Sequence, residues 1–242
     1  LAEFTGARIN GGVFSGTQTD RVQDNVSSAI FEHGAYFEFH QPPLSLRRWS
    51  MALGGISSTQ NGEVNRDFIF TQAYYQTPRF SANLDQEVDV NRGWKLSTGE
   101  SQFAPTSTFA MMRFQAAKPL SVNFGYDNRR NVRLYRDFIS PVTEFDDRYR
   151  SGEWVGASLE LGKYIRMDGD TRHRGGAASD RSDAWSSGAQ ISRIGFWNMA
   201  SRARYSTFSS STLKSSLTSV GVGIDPISVL HLEGAGGTRT SE

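Results

Sequence analysis

The sequence predicts an all-β fold of antiparallel strands in up-and-down order, and three observations predict it. First, Arg79–Asn91, RFSANLDQEVDVN, alternates strictly. Phe80, Ala82, Leu84, Gln86, Val88 and Val90 are apolar or nearly so, and every residue between them is polar. A period of two puts the sets on opposite faces of a strand. Second, similar stretches recur, joined alternately by a tight turn and a long polar loop. Third, turns near 43, 78, 119, 163, 196 and 226 are spaced by about 30–45 residues, two strands plus a loop. A soluble sandwich uses such strands too, but this alternation of turn and loop is the layout of a transmembrane β-barrel of about 12–14 strands.

Composition agrees. The chain has 242 residues, enough for one barrel domain over 1–242, either alone or as part of a longer chain. Hydrophobic residues are 37% of it, suiting a fold in which only one face need be apolar. No apolar run approaches the roughly 20 residues of a membrane helix. Lys and Arg number 26 against 25 Asp and Glu, so no global field argues for nucleic acid. The absence of cysteine removes disulfides, thiolate chemistry and zinc-thiolate sites. LAEFTGARIN lacks the basic start and apolar core of a signal peptide, so the segment reads as mature or cut from a precursor. GGTRTSE ends without an aromatic strand, and one or more further strands are expected beyond it.

In order, the pattern predicts a strand over Phe4–Ser15, a loop over Thr17–Asn25 and a strand over Ser28–His40. Gln41–Pro43 turns into a strand over Leu44–Ser57. A loop over Thr59–Asn65, with an Asn-Gly signal, leads to Arg66–Gln76, whose faces are mixed. After Thr77–Pro78 comes the alternating strand, then the loop Arg92–Ala104 and a strand over Thr106–Ala117. Lys118–Pro119 turns into Leu120–Asn128, and a charged loop runs from Arg129 to Arg150. Gly152–Gly162, a short strand, a loop over Asp168–Asp183, Trp185–Ile194 and Trp197–Thr207 follow. Leu217–Ile224 and Ile227–Gly236 flank a turn at Asp225–Pro226. Five of the seven prolines sit at turns, where no ladder N–H is needed; Pro105 and Pro141 fall in predicted loops. Phe37, Phe39, Trp49, Tyr74, Tyr75, Phe80, Phe114, Tyr164, Phe196 and Trp197 crowd the turn side, as an interfacial girdle would.

The alternation, proline turns, polar loops and missing cysteine together resemble a bacterial outer-membrane β-barrel. Gly125–Gly162, GYDNRRNVRLYRDFISPVTEFDDRYRSGEWVGASLELG, is similar to barrel regions of Gram-negative envelope proteins. The resemblance implies a fold and a location in the bacterial outer membrane, with membrane lipid and lipopolysaccharide as surroundings. It carries no catalytic motif.

The wet face holds the candidate functional residues. Glu38, Arg48, Asp85, Glu87, Asp89, Arg113, Glu160, Arg202 and Arg204 are expected to face the lumen. An Arg or Lys facing lipid at the midplane costs about 2–4 kcal/mol, which forces that assignment. Such walls can select small solutes, a porin-like role. The alternative is a structural or anchoring barrel of a larger envelope protein or assembly, its lumen closed by the same charges. Envelope proteins or further copies of the chain are its partners in that case. Arg129, Arg130, Arg133 and Arg136 can hold lipopolysaccharide phosphates from an outer loop; a self-paired, solvated loop is the plainer reading. DGDTRHRGG (Asp168–Gly176) has an Asp-x-Asp but no glutamate at calcium-loop spacing, so no metal is assigned. No G-x-S-x-G, H-E-x-x-H or P-loop occurs, and neither an enzyme activity nor a cofactor is expected.

Overall fold

The computed structural model describes residues 1–21, 27–41, 46–140, 150–176, 181–195, 198–227 and 230–242. These form fourteen strands: β1 (Ala2–Thr5), β2 (Ile9–Arg21), β3 (Ser27–His40), β4 (Arg48–Gln60), β5 (Glu63–Gln76), β6 (Phe80–Val90), β7 (Phe103–Ala117), β8 (Leu120–Arg129), β9 (Arg150–Leu161), β10 (Ile165–Gly175), β11 (Ser182–Ile194), β12 (Met199–Ser210), β13 (Lys214–Ile227) and β14 (Leu230–Ser241). Two short helices, α1 (Trp94–Ser97) and α2 (Tyr135–Ile139), lie in loops. The strands follow sequence order, each hydrogen-bonded to the next. The expected all-β, antiparallel, up-and-down architecture is therefore present. No described helix is long and apolar enough to cross a membrane.

Contacts divide the chain into two compact units, Leu1–Ala110 with Asp127–Tyr149, and Met111–Tyr126 with Arg150–Glu242. In the first, cross-strand partners share a face and extend the alternation from strand to strand. Phe37 stands opposite Leu53, Ile69 opposite Val88 and Ala73 opposite Leu84. Glu38 is opposite Ala52, which is opposite Gln72, which is opposite Asp85. In the second, Leu159, Met167, Ala189, Ala203 and Val220 form one row. Glu160, Arg166, Gln190 and Arg202 form the row on the other face.

Neither unit buries its apolar face. Phe37 is 52%, Leu53 47%, Val155 44% and Val222 45% exposed. The buried apolar residues among those described are Ile30, Trp94 and Ala104. A soluble sandwich would hide these faces between sheets.

The polar faces carry packing that alternation alone does not predict. Phe14 lies over Gly34, Tyr36 over Gly12 and Phe70 over Gly54, each ring occupying the space a Cβ would need. In the second unit Trp154 lies over Gly125. Aromatics pack against the glycines of neighbouring strands and cover their bare backbone.

Several expected boundaries are corrected. Phe4–Ser15 is two strands, β1 and β2, because Gly6 donates to the Ile9 carbonyl at 2.9 Å and closes a turn. β2 runs on through Arg21, into the expected loop Thr17–Asn25. The loop expected at Thr59–Asn65 is a two-residue turn. Asn61 (φ 53°) and Gly62 (φ 81°) take the left-handed conformations that join β4 to β5 with a matching twist. The loop expected over Asp168–Asp183 is mostly strand, since β10 extends to Gly175 and β11 begins at Ser182. Pro105 lies inside β7. Pro226 lies inside β13, where the register slips between Ile224 and Ile227. Such a bulge tolerates a missing N–H. Tyr74 is opposite Ser50 and Asn83, so it stands on the polar face and not where the expected girdle would place it. Pro42–Ser45, Pro141–Tyr149, Phe196–Trp197 and the turn after β13 lie outside the described residues.

Candidate functional site

The most developed polar cluster is built where β5, β6 and β7 meet α1 in the first unit. β5 reaches it through a bulge: Ser58 pairs with Arg66 and Thr59 with Val64, so Asn65 is the extra residue. A bulge re-aims its side chains, and here it frees groups that hold both helices. Trp94 Nε1 donates to the Val64 carbonyl at 2.6 Å. Asn65 Nδ2 donates to Ser58 Oγ at 3.3 Å, and Asn65 Oδ1 accepts the Tyr135 N–H at 3.1 Å. Trp94 stacks on Phe138 at 4.9 Å between ring centroids. Asp137 caps α2 by accepting the Leu134 N–H at 2.8 Å.

Under this lid sits Arg66. Its guanidinium donates from Nη2 to Asp89 Oδ1 and to Glu87 Oε2, both at 2.8 Å, and from Nε to Asp89 at 3.1 Å. Thr106 Oγ1 donates to Asp89 Oδ1 at 2.9 Å. Lys95 of α1 places its ammonium 3.9 Å from Asp89, with side chains only 2% and 1% exposed. Burial lowers the lysine pKa below its ordinary value, while Asp89 opposes that shift. Glu100 is gripped by Arg130 at 2.8 and 2.9 Å. A cavity of about 10 Å³ beside Asp89, Lys95 and Arg133 has room for about one water. Every charge here has a partner, which is what a desolvated ionic cluster requires.

Asp85, Glu87 and Asp89 share a face, as alternation expects, but only the last two join the cluster. Asp85 accepts from Asn83 Nδ2 at 2.8 Å, and Glu38 accepts from Asn10 Nδ2 at 3.2 Å. Arg48 opens β4 opposite Gln76 on the same face. In the second unit Glu160 is opposite Arg166. Arg202 donates to Glu233 at 3.1 Å, and Arg204 donates to Ser186 Oγ at 2.8 Å and lies 3.5 Å from Asp170. Arg113 lies exposed on β7.

The loop arginines meet carboxylates of β8, of the segment after α1 and of α2. Arg129 meets Asp127 at 2.9 Å, Arg130 meets Glu100, and Arg136 lies 3.8 Å from Asp137. Arg133 lines the small cavity. Asp168 and Asp170 share the polar face of β10. His173 is on the other face, bonded to Asp183 at 2.5 Å, so the three do not converge. Among the described residues no group of three His, Asp or Glu side chains is placed to hold a metal.

Sequence reasoning missed Arg66 and Lys95. Arg66 sits where apolar residues occupy both faces, Phe68 and Phe70 on one and Ile69 on the other, so the pattern has no preferred side. The alternation Arg66–Phe68–Phe70 against Asp67–Ile69–Thr71 was its only signal. No protein-family model and no curated protein sequence matches this chain.

Proposed function

We propose that the chain is an outer-membrane β-barrel whose polar face lines an enclosed interior for porin-like passage of small solutes. One observation carries the reading: strand after strand leaves a continuous apolar face uncovered while the opposite face carries charges. Contiguous exposed apolar area of this extent marks a surface meant for lipid or a partner. A hydrocarbon layer tolerates strands only when every backbone group is bonded and no edge is open, hence the proposed closure. The outward rows change character toward the loops, as an apolar band between polar rims requires. In the first unit the limiting row is Ser15, His33, Ser57 and Asp67. In the second it is Glu153, His173, Asp183, Ser209 and Lys214. Planar-bilayer recording tests passage: stepwise openings are expected, and a folded, detergent-requiring protein that stays silent refutes it.

A second reading, a structural or anchoring barrel without conduction, is favoured by the α1 cluster. There an inserted lysine and fully paired carboxylates close over the polar face. Silence in the wild type, with openings after α1 is replaced by a Gly-Ser linker, is the outcome that reading expects.

A further inference from the structure

The outward face of the second unit is not evenly covered. A groove of about 450 Å³ crosses it from β8 to β13. Its floor is made of small residues, Gly169, Ser187, Ala189 and Ala203, on adjacent strands. Leu159, Met167 and Tyr205 stand as walls. At about 4.8 Å per strand, the five steps from β8 to β13 make it about 24 Å long.

Leu120 lines one end of the groove, two residues after Lys118. The turn carrying Lys118 is tied to the groove's wall strand, because Glu160 N–H donates to the Pro119 carbonyl at 2.7 Å. The next turn on this side holds Lys163, exposed, its ammonium 4.9 Å from the Tyr164 ring centroid. Tyr164 is anchored through its carbonyl, which accepts the Ser192 N–H at 2.9 Å. Both cations therefore stand on the turn side of the trough, Lys118 two residues from its β8 end and Lys163 four residues from the wall residues Leu159 and Met167. A cation beside an interfacial tyrosine suits a phosphate at headgroup depth.

We propose that this groove holds one acyl chain of an anionic phospholipid whose phosphate sits at Lys118 and Lys163. The assignment rests on the membrane reading above. It goes beyond general solvation by lipid because it names one place, one headgroup charge and one half of the groove. The walls Leu159, Met167 and Tyr205 offer apolar surface to an acyl chain, while Asp168 and Arg204, which also line the groove, belong to the row of the polar face. Both lysines flank the β8–β10 half of the groove, which places the headgroup there.

The test is native mass spectrometry of the full chain in detergent micelles, titrated with phosphatidylglycerol or phosphatidylcholine of identical acyl chains. Heat-modifiable migration is read in parallel as the sign of a folded barrel. The wild type is expected to retain phosphatidylglycerol preferentially. Lys118→Gln and Lys163→Gln should each reduce that preference about fivefold. Ala189→Trp, which fills the floor, should release both lipids while migration is unchanged. Ala203→Leu serves the same purpose if the tryptophan variant does not fold. Equal retention of both lipids by the wild type, or retention unaffected by filling the floor, overturns the site and leaves the membrane reading standing. A dimer that filling the floor dissolves overturns it in favour of a second copy of the chain. Loss of heat-modifiability and of the detergent requirement in the wild type overturns the membrane reading, and the lipid site with it.

Discussion

Asp89 shows what one residue does in the cluster. It accepts from Arg66 and Thr106 and faces Lys95, so its removal leaves the buried Lys95 without its carboxylate and Arg66 with Glu87 alone. Asp89→Ala should cost about 3–5 kcal/mol, read as a lowered urea midpoint; a loss below about 1 kcal/mol would sink the account of the cluster. Lys95 behaves differently. Arg66 already satisfies Asp89, and burial holds the lysine pKa below its ordinary value. The unfolded chain then binds a proton that the folded site resists. The resulting cost is present at neutral pH and fades as pH rises toward the ordinary value of 10.5. Lys95→Met should therefore be at least as stable as the wild type at pH 7, with an advantage that narrows as pH approaches that value. A variant clearly weaker at pH 7 contradicts this. At Gly125 the Trp154 ring fills the space of a Cβ. Gly125→Val should cost about 1–3 kcal/mol, and Trp154→Ala should relieve the clash in the double variant.

At the scale of the strand, the two faces of β6 make different demands. Leu84 is on the exposed apolar face opposite Ala73, and Asn83 is on the polar face bonded to Asp85. Leu84→Arg should reduce insertion into liposomes by the equivalent of about 2–4 kcal/mol. Asn83→Arg should insert nearly as the wild type does, and equal yields for the two would refute the face assignment. The β5 bulge has a separate role, because Val64 and Asn65 tie α1 and α2 to the sheet. Asn65→Ala should loosen α2 by about 1–3 kcal/mol. Faster amide exchange in Tyr135–Ile139, with β6 unchanged, is the expected signature.

For the whole molecule, the observations divide between what the strands bury and what they leave open. Only three of the described apolar residues are buried, so stability in water alone has no large core behind it. The polar faces are held by ion pairs and by ring-on-glycine packing instead. Transfer from detergent to water should collapse the fold, while boiling in detergent should change its migration. A chain that stays monomeric and folded in plain buffer is incompatible with the proposed location.

Alternation by itself determined the strand class and the division of β6, β8 and β9 into a greasy and a wet side, and the spacing of turns and loops determined the antiparallel order. That information is local, since each strand's pleat sends neighbouring side chains to opposite faces wherever the strand lies. Prolines and an Asn-Gly pair marked most turns for the same reason. Only the tertiary structure decided that Arg66 would meet Asp89, because the meeting depends on the register in which β6 pairs with β5, with Phe68 opposite Asp89, and not on anything repeated along the chain. It also decided that Lys95, in a loop with no period, would turn back onto the sheet, and that glycines would lie under aromatic rings. Those outcomes depend on which strand lies beside which, and in what register, and a periodic pattern is blind to both.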